Sequence, residues 1–196
     1  MTNSSERQQE EAPRPGKRER LVAAASQLLH QQGIEKTTLV EIAQTADVPA
    51  GNVYYYFKTK DEIITAVIDA HIQYEKEMLA SIDARHRSPK TRLKALVVEL
   101  MRQGDIIVQF GCPLGSLCSE LDKRADGPSV AAAELMRIPI AWAEEQFQSL
   151  DQPNAHDLAV NLLASYEGTA LLTNTLRDPK ILAREARRLE RWIDAL

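Results

Sequence analysis

Apolar residues recur at intervals of three and four along nearly the whole chain, and β-branched residues seldom alternate with polar ones. The pattern therefore predicts helices and no sheet. The first helix runs over about 17–32, with Leu21, Val22, Ala25, Leu28 and Leu29 on one face and Gly33 as its C-terminal cap. Thr38 and Glu41 form a capping box that opens a short second helix ending near Ala46. Asp47 falls where a tight turn needs positive φ, and Pro49 suits the first turn of a short third helix. A second capping box, Thr59 with Glu62, precedes a long helix over 60–86, ~40 Å at ~1.5 Å per residue. Its inward stripe is Ile64, Val67, Ile68, His71, Tyr74, Met78 and Ile82.

Ser88 and Pro89 start a fifth helix bearing Leu93, Leu96, Leu100 and Met101, loosened at its end by Gly104. A turn containing Gly111, Pro113 and Gly115 leads into a short sixth helix that stops by Leu121. Gly127 and Pro128 separate this from a seventh reaching about Leu150, in which Pro139 predicts a kink because the Leu135 carbonyl loses its donor. Pro153 and Asn154 begin an eighth, to about Leu176, and Asp178 with Pro179 begins a ninth. The ninth shows Leu182, Ala186, Leu189, Ile193 and Leu196 on one face. The eighth is apolar around most of its girth, at Leu158, Ala159, Val160, Leu162, Leu163 and Ala164, so it needs more than one neighbour. Either it is central in its own bundle or a second subunit covers its other side.

With 196 residues, 44% hydrophobic and 27% charged, the chain fits one large or two small globular domains of an all-α class with about nine helices. No apolar run approaches the ~18–20 residues of a membrane span, and the opening residues hold no signal-like stretch, so a cytoplasmic protein without a membrane partner is expected. Cys112 and Cys118 are too close for a disulfide framework and read as small buried hydrophobes more readily than as redox sensors. Residues 1–16, polar and holding Pro13, Pro15 and Gly16, read as a flexible arm. The net charge of −4 argues against a nucleic-acid partner until it is divided: residues 14–60 carry +3, leaving −7 for the rest. The front is basic and the back acidic.

That basic front contains two very short helices joined at Asp47 and Val48, with Ile42, Ala43, Ala46, Val48 and Val53 as apolar contacts to the first helix. This is the helix-turn-helix arrangement. Ala50, Gly51 and Asn52 open its second helix, and Tyr54, Tyr55, Tyr56 and Phe57 follow, four of the ten aromatic residues in succession. Successive helical side chains point ~100° apart, so at least one or two of these rings must face outward, with Phe57 the one that turns in. Exposed phenols near a lysine suit a phosphate-lined groove, Gly51 permits close backbone approach, and the Asn52 amide can read a base edge. Lys58 and Lys60 lie beside this helix, with Lys60 in reach of a phosphate, and the Thr38 hydroxyl caps the preceding helix where it could meet another.

The Thr37-Thr38 start, Ile42-Ala43, Ala46, Val48, Gly51, the run Tyr54 to Phe57 and Lys60 with its acidic followers resemble the TetR/AcrR family of bacterial transcriptional repressors, over about residues 17–65. Asp47 and Pro49 depart from the glycine and serine usual there. The segment Gly111 to Leu121 looks like one found in some members. The resemblance implies a homodimer on a palindromic double-stranded DNA operator, with residues 17–59 reading DNA and 60–196 binding a small-molecule effector and dimerising. The eighth and ninth helices would pair between subunits through Leu158, Leu162, Leu182, Leu189 and Ile193, and effector binding would tilt the fourth helix.

Candidates to line such a pocket are His71, Tyr74, Met78, Met101, Phe110, Leu114, Leu117, Cys118, Leu121, Trp142 and Tyr166. Apolar stripes at helical spacing are usually core, so about half of them should touch a ligand. The histidines at 30, 71, 86 and 156 have no ligand-like spacing, and no metal or cofactor is expected. An enzyme is the competing class, yet no phosphate-binding loop or nucleophile elbow is present. An all-helical interaction module is the third possibility.

Overall fold

The computed structural model of the chain describes residues 15–102, 104–124 and 128–196. The arm expected over 1–16 lies almost wholly outside them. The described residues form helices α1 (Lys17–Lys36), α2 (Leu39–Thr45), α3 (Ala50–Tyr56), α4 (Lys60–Arg85), α5 (Pro89–Met101), α6 (Gly104–Phe110), α7 (Pro113–Asp122), α8 (Ser129–Ala132), α9 (Glu134–Gln148), α10 (Ala155–Leu176) and α11 (Pro179–Asp194). Nine of these are the nine expected; the short α6 and the single turn α8 are the additions. No strand occurs among the described residues, and no helix there is long and apolar enough to cross a membrane.

Local chemistry sets most of the boundaries. Gly33 holds φ +83, which ends the regular part of α1 before a last turn to Lys36. The Thr38 hydroxyl accepts from Glu41 N while the Glu41 carboxylate accepts from Thr38 N, completing the capping box of α2. At α4 the reciprocal half differs from expectation: Thr59 accepts from Glu62 N at 3.2 Å, but the Glu62 carboxylate accepts from Lys58 N, one residue before the cap. Helix α6 has a tertiary cause. Asn174 donates to the Val108 carbonyl at 3.1 Å and Arg177 to the Gln109 carbonyl at 2.7 Å, satisfying the carbonyls at its C-terminal end. Helix α9 passes through Pro139 without interruption.

Packing joins the front and back of the molecule. One core runs from Leu21, Ala25 and Leu29 of α1 through Ile42, Val53 and Phe57 to Ile63, Ile64 and Ile68 of α4, and onward to Leu117, Leu121 and Leu135. A second is built from Leu79 and Ile82 of α4, Leu93, Leu96 and Val97 of α5, Phe147 of α9, Leu162 of α10, and Leu189 and Ile193 of α11. Helix α4 belongs to both. Burial of this much aliphatic surface on each end makes it a stiff rod shared by two bodies of side chains.

Candidate nucleic-acid interface and effector cavity

The turn between α2 and α3 is built around Asp47, whose φ of +51 is the left-handed value its sequence position required. Val48 N donates to the Ala43 carbonyl at 2.9 Å across this turn, and Arg20 of α1 donates to the Asp47 carbonyl at 3.3 Å from outside. With Ile42, Ala43, Ala46, Val48 and Val53 all buried against α1, α3 can present only its far side. Tyr55 is 78% exposed and Tyr54 49%, whereas Tyr56 is half-buried against the core and Phe57 is buried beneath the Arg18 guanidinium. Ala50 and Gly51 are exposed beside the tyrosines, and Asn52 is half-buried. A Cβ at Gly51 would meet nothing within 4 Å, so the chain's own packing does not require a glycine there.

Two residues expected at phosphates have partners within the chain. The Lys60 ammonium donates to the Ile34 carbonyl at 2.8 Å and to that of Glu35 at 3.3 Å, at the end of α1, so it ties α4 to α1. The Thr38 hydroxyl is engaged by Glu41. Lys58 remains exposed, its ammonium resting on the Tyr54 carbonyl.

Behind this head lies a cavity of about 950 Å³ walled by α1, α4, the α5–α6 corner, the start of α7, α9 and α10. His71, Tyr74, Met78, Phe110, Leu114 and Tyr166 line it, as the sequence suggested. Met101, Leu117, Cys118, Leu121 and Trp142 do not. Met101 packs in the core shared with α10 and α11. Leu117 and Leu121 turn the other side of α7 toward α1. Cys118 donates to the Ala132 carbonyl at 3.4 Å, and Trp142 is drawn to α4 by an Nε1 bond to Asp83 at 3.0 Å.

The polar groups of the cavity are unevenly satisfied. Cys112, the N-cap of α7, donates to Glu167 Oε1 at 3.2 Å and accepts from the Tyr166 hydroxyl at 3.6 Å. Burial, then the Glu167 charge, pushes its thiol up to about 12, which makes it an inert thiol rather than a reactive thiolate. Burial likewise raises Cys118 to about 11, and raises Tyr166. The Glu167 carboxylate fills the place a Cβ at Gly115 would take, and burial raises its pKa against the opposing Cys112 bond. His71 shares a 3.0 Å hydrogen bond with the Ser26 hydroxyl; burial, then the neighbouring His30, lowers its pKa. Glu75 stands apart. It is 6% exposed, its Oε2 has no hydrogen-bond partner, and burial alone raises its pKa to about 8. The sequence stripe put Tyr74 inward and passed over Glu75, because a charged residue at helical spacing is expected outside; the structure exposes most of Tyr74 at the cavity edge.

Helix α7 links the cavity to the head. Its N-terminal end meets Glu167, while Glu120 near its other end accepts from Ile34 N at 2.6 Å, beside Gly33. Arg124 then pairs with Asp61 at the start of α4, at 2.8 Å.

The expected pairing residues on the last two helices require correction. Leu162, Leu182, Leu189 and Ile193 are buried within the chain, so these four are not free to meet a partner, whereas Leu158 is half-buried against the core of α4, α5 and α9–α11. Helix α10 shows apolar side chains on the opposite face: Leu171, 65% exposed, Leu172, and Leu176, 62% exposed, continue from Val160 along a strip that includes exposed Ala164 and Gly168.

Comparison with known proteins agrees with this architecture. The family described as "Bacterial regulatory proteins, tetR family" matches residues 21–67, the head and the start of α4. An uncharacterized HTH-type transcriptional regulator from Lactococcus lactis is 27% identical over 84% of this chain and 87% of its own length. The HTH-type transcriptional regulator TtgR of Pseudomonas putida is 23% identical over 90% of this chain and 88% of its own. Among solved structures, a TetR transcriptional regulator from Legionella pneumophila superposes with a TM-score of 0.83 at 18% identity, over 92% of this chain and 98% of that one. The reduced form of NemR from Escherichia coli gives 0.75 at 22% identity, over 90% and 96%.

Proposed function

This chain belongs to the TetR family of transcriptional regulators and carries its helix-turn-helix DNA-binding domain, and from that premise we propose that it is a homodimeric repressor whose grip on a palindromic operator is released when a small molecule fills the cavity. One observation carries the reading: α1 supplies both a wall of the cavity, through Val22, Ser26 and His30, and the floor on which the reading helix packs, through Leu21 and Ala25. Anything that swells the cavity presses on the head itself.

The exposed α10 strip supports pairing of two copies in a cytoplasmic dimer, since a row of leucines on a helix already packed on its other side is covered most simply by its own symmetry mate. In such a dimer Tyr54 and Tyr55 of the two copies face successive major grooves, with Asn52 and the Gly51 backbone close to base edges and Lys58 near phosphate. Recognition helices must then stand ~34–36 Å apart. A ligand bearing on α4 and α7 rotates the start of α4 through Glu120, Arg124 and Lys60, and a small rotation of a long rod changes that separation.

The test is salt-dependent fluorescence anisotropy on a duplex carrying the binding site, with Tyr55→Ala as the variant. Tyr55 is exposed and touches only the edge of the Tyr56 ring among the aromatic residues, so the variant keeps its circular dichroism spectrum and nearly all of its stability. Losing one groove contact per subunit, each worth ~1 kcal/mol, weakens binding by about 30-fold. Unchanged affinity would remove α3 from the interface.

A further inference from the structure

We infer that the ligand this cavity selects is an organic cation on an apolar or aromatic body, held by the Glu75 carboxylate as its counter-ion, an inference that rests on the reading of the cavity as the effector site. Of the two lining carboxylates whose pKa burial raises, the half-buried Glu167 already has a donor in Cys112 and a fixed seat against Gly115. Glu75 has neither: its Oε2 is unpartnered in the wall of a void. An orphaned buried acid costs stability and gains only when something enters to pair with it. The surroundings choose the sign of that partner. Among the described residues the lining also holds Glu19, Asp69 and Glu99, with Arg18 as the single Lys or Arg, so an anion meets repulsion and a cation attraction. Phe110, Tyr74 and Tyr166 line it as well, and aromatic rings favour organic cations over hydrated metal ions.

Pairing must also involve a proton. Burial keeps the empty Glu75 protonated at neutral pH, so the arriving cation displaces its proton to solvent. Other groups around it do not supply this proton. On α4, His71 is lowered in pKa by burial, then by His30 of α1; the Cys112 thiol and the Tyr166 hydroxyl are both raised, so they keep their protons. Glu167 on α10 keeps its bond from Cys112, Cys118 is held protonated by burial, and the α9 wall presents Leu135, Met136 and Pro139. Arg18 and Glu19 on α1, Asp69 on α4 and Glu99 on α5 are the remaining charges of the lining.

The experiment is calorimetric titration of the full chain with tetraphenylphosphonium, a permanent cation, and with triphenylphosphine oxide, a neutral relative bearing a strong acceptor. Affinity for the cation should weaken as pH falls below 8, by up to about tenfold per pH unit, and level off above it. Close to one proton should leave per cation at pH 7, measured from two buffers of different ionisation enthalpy. Glu75→Gln should cut cation affinity about 100-fold and flatten the pH profile while leaving the oxide bound as before. Should that variant fail to fold, the wild-type pH slope and proton release decide alone. Equal or tighter binding of the oxide, favoured at low pH, would overturn the inference, since Glu75 would then act as a neutral donor. Operator anisotropy separates the two claims. Cation binding that leaves DNA bound contradicts the release mechanism alone; DNA release by the oxide without cation binding contradicts only the ligand class.

Discussion

Replacing Glu75 by glutamine should make the protein more stable, and increasingly so as pH rises. In the unfolded chain this carboxyl ionises near 4.5, whereas burial holds it protonated in the folded protein up to about 8. Between those values the unfolded state binds fewer protons than the native one, so the native state loses stability with rising pH, at up to ~1.4 kcal/mol per pH unit, and the loss is complete above 8. At pH 7 this amounts to at most ~3 kcal/mol, and water inside the cavity reduces it, so a contribution of about 2 kcal/mol is expected. Glutamine keeps the shape and cannot titrate. Any cost of its unpaired amide is the same at every pH, which leaves the pH dependence of the difference as the signature of the carboxyl. Urea denaturation followed by circular dichroism at fixed protomer concentration measures it. The advantage of Glu75→Gln over wild type should grow by about 2 kcal/mol from pH 5 to pH 7.5. A difference independent of pH, or one that turns against glutamine as pH rises, would refute an orphaned acid and mean that Glu75 is ionised and paired.

Three other outcomes follow from particular contacts. If the proposed dimer forms through α10, wild type should sediment as a dimer and Leu171→Glu with Leu176→Glu as a monomer that has lost high-affinity operator binding, because both side chains lie on the exposed strip of α10. Gly33→Ala should cost ~1–3 kcal/mol in thermal or urea unfolding, since its φ of +83 suits glycine and a Cβ would come within 3.0 Å of the Glu120 carboxylate. Lys60→Gln should lower stability by ~1 kcal/mol and leave the salt dependence of DNA binding unaltered, whereas Lys58→Gln should leave stability unaltered and reduce that dependence by about one ion per subunit.

Helix order was legible because capping residues and apolar spacing are local signals. Thr38, Thr59, Ser88 and Asp178 each cap the helix their positions suggested, and Asp47 takes the positive φ its turn demanded. The aromatic run was legible in part: Tyr55 and Phe57, two residues apart, point to opposite sides of a helix, whereas Tyr54, three residues before Phe57, would share its face and is separated from it only because Phe57 leaves α3 with extended backbone (φ −138, ψ 117). Three features were hidden, each decided by residues far apart in sequence. Lys60 meets carbonyls 25 and 26 positions earlier. Helix α6 is completed by Asn174 and Arg177. The leucines of α10 divide between the core and the free face according to where α9 and α11 pack, which hydrophobicity cannot tell. Glu75 escaped for the opposite reason: its charge marked it as a surface residue, and only the void beside it makes burial tolerable.

The central claim is that two copies of one tyrosine-bearing helix read DNA together, and selection from a random duplex library by the purified chain tests it most directly. The account predicts enrichment of inverted half-sites whose centres lie about one helical turn apart, with no enrichment by Tyr55→Ala. Recovery of isolated single half-sites, or of no common sequence at low salt, would contradict it.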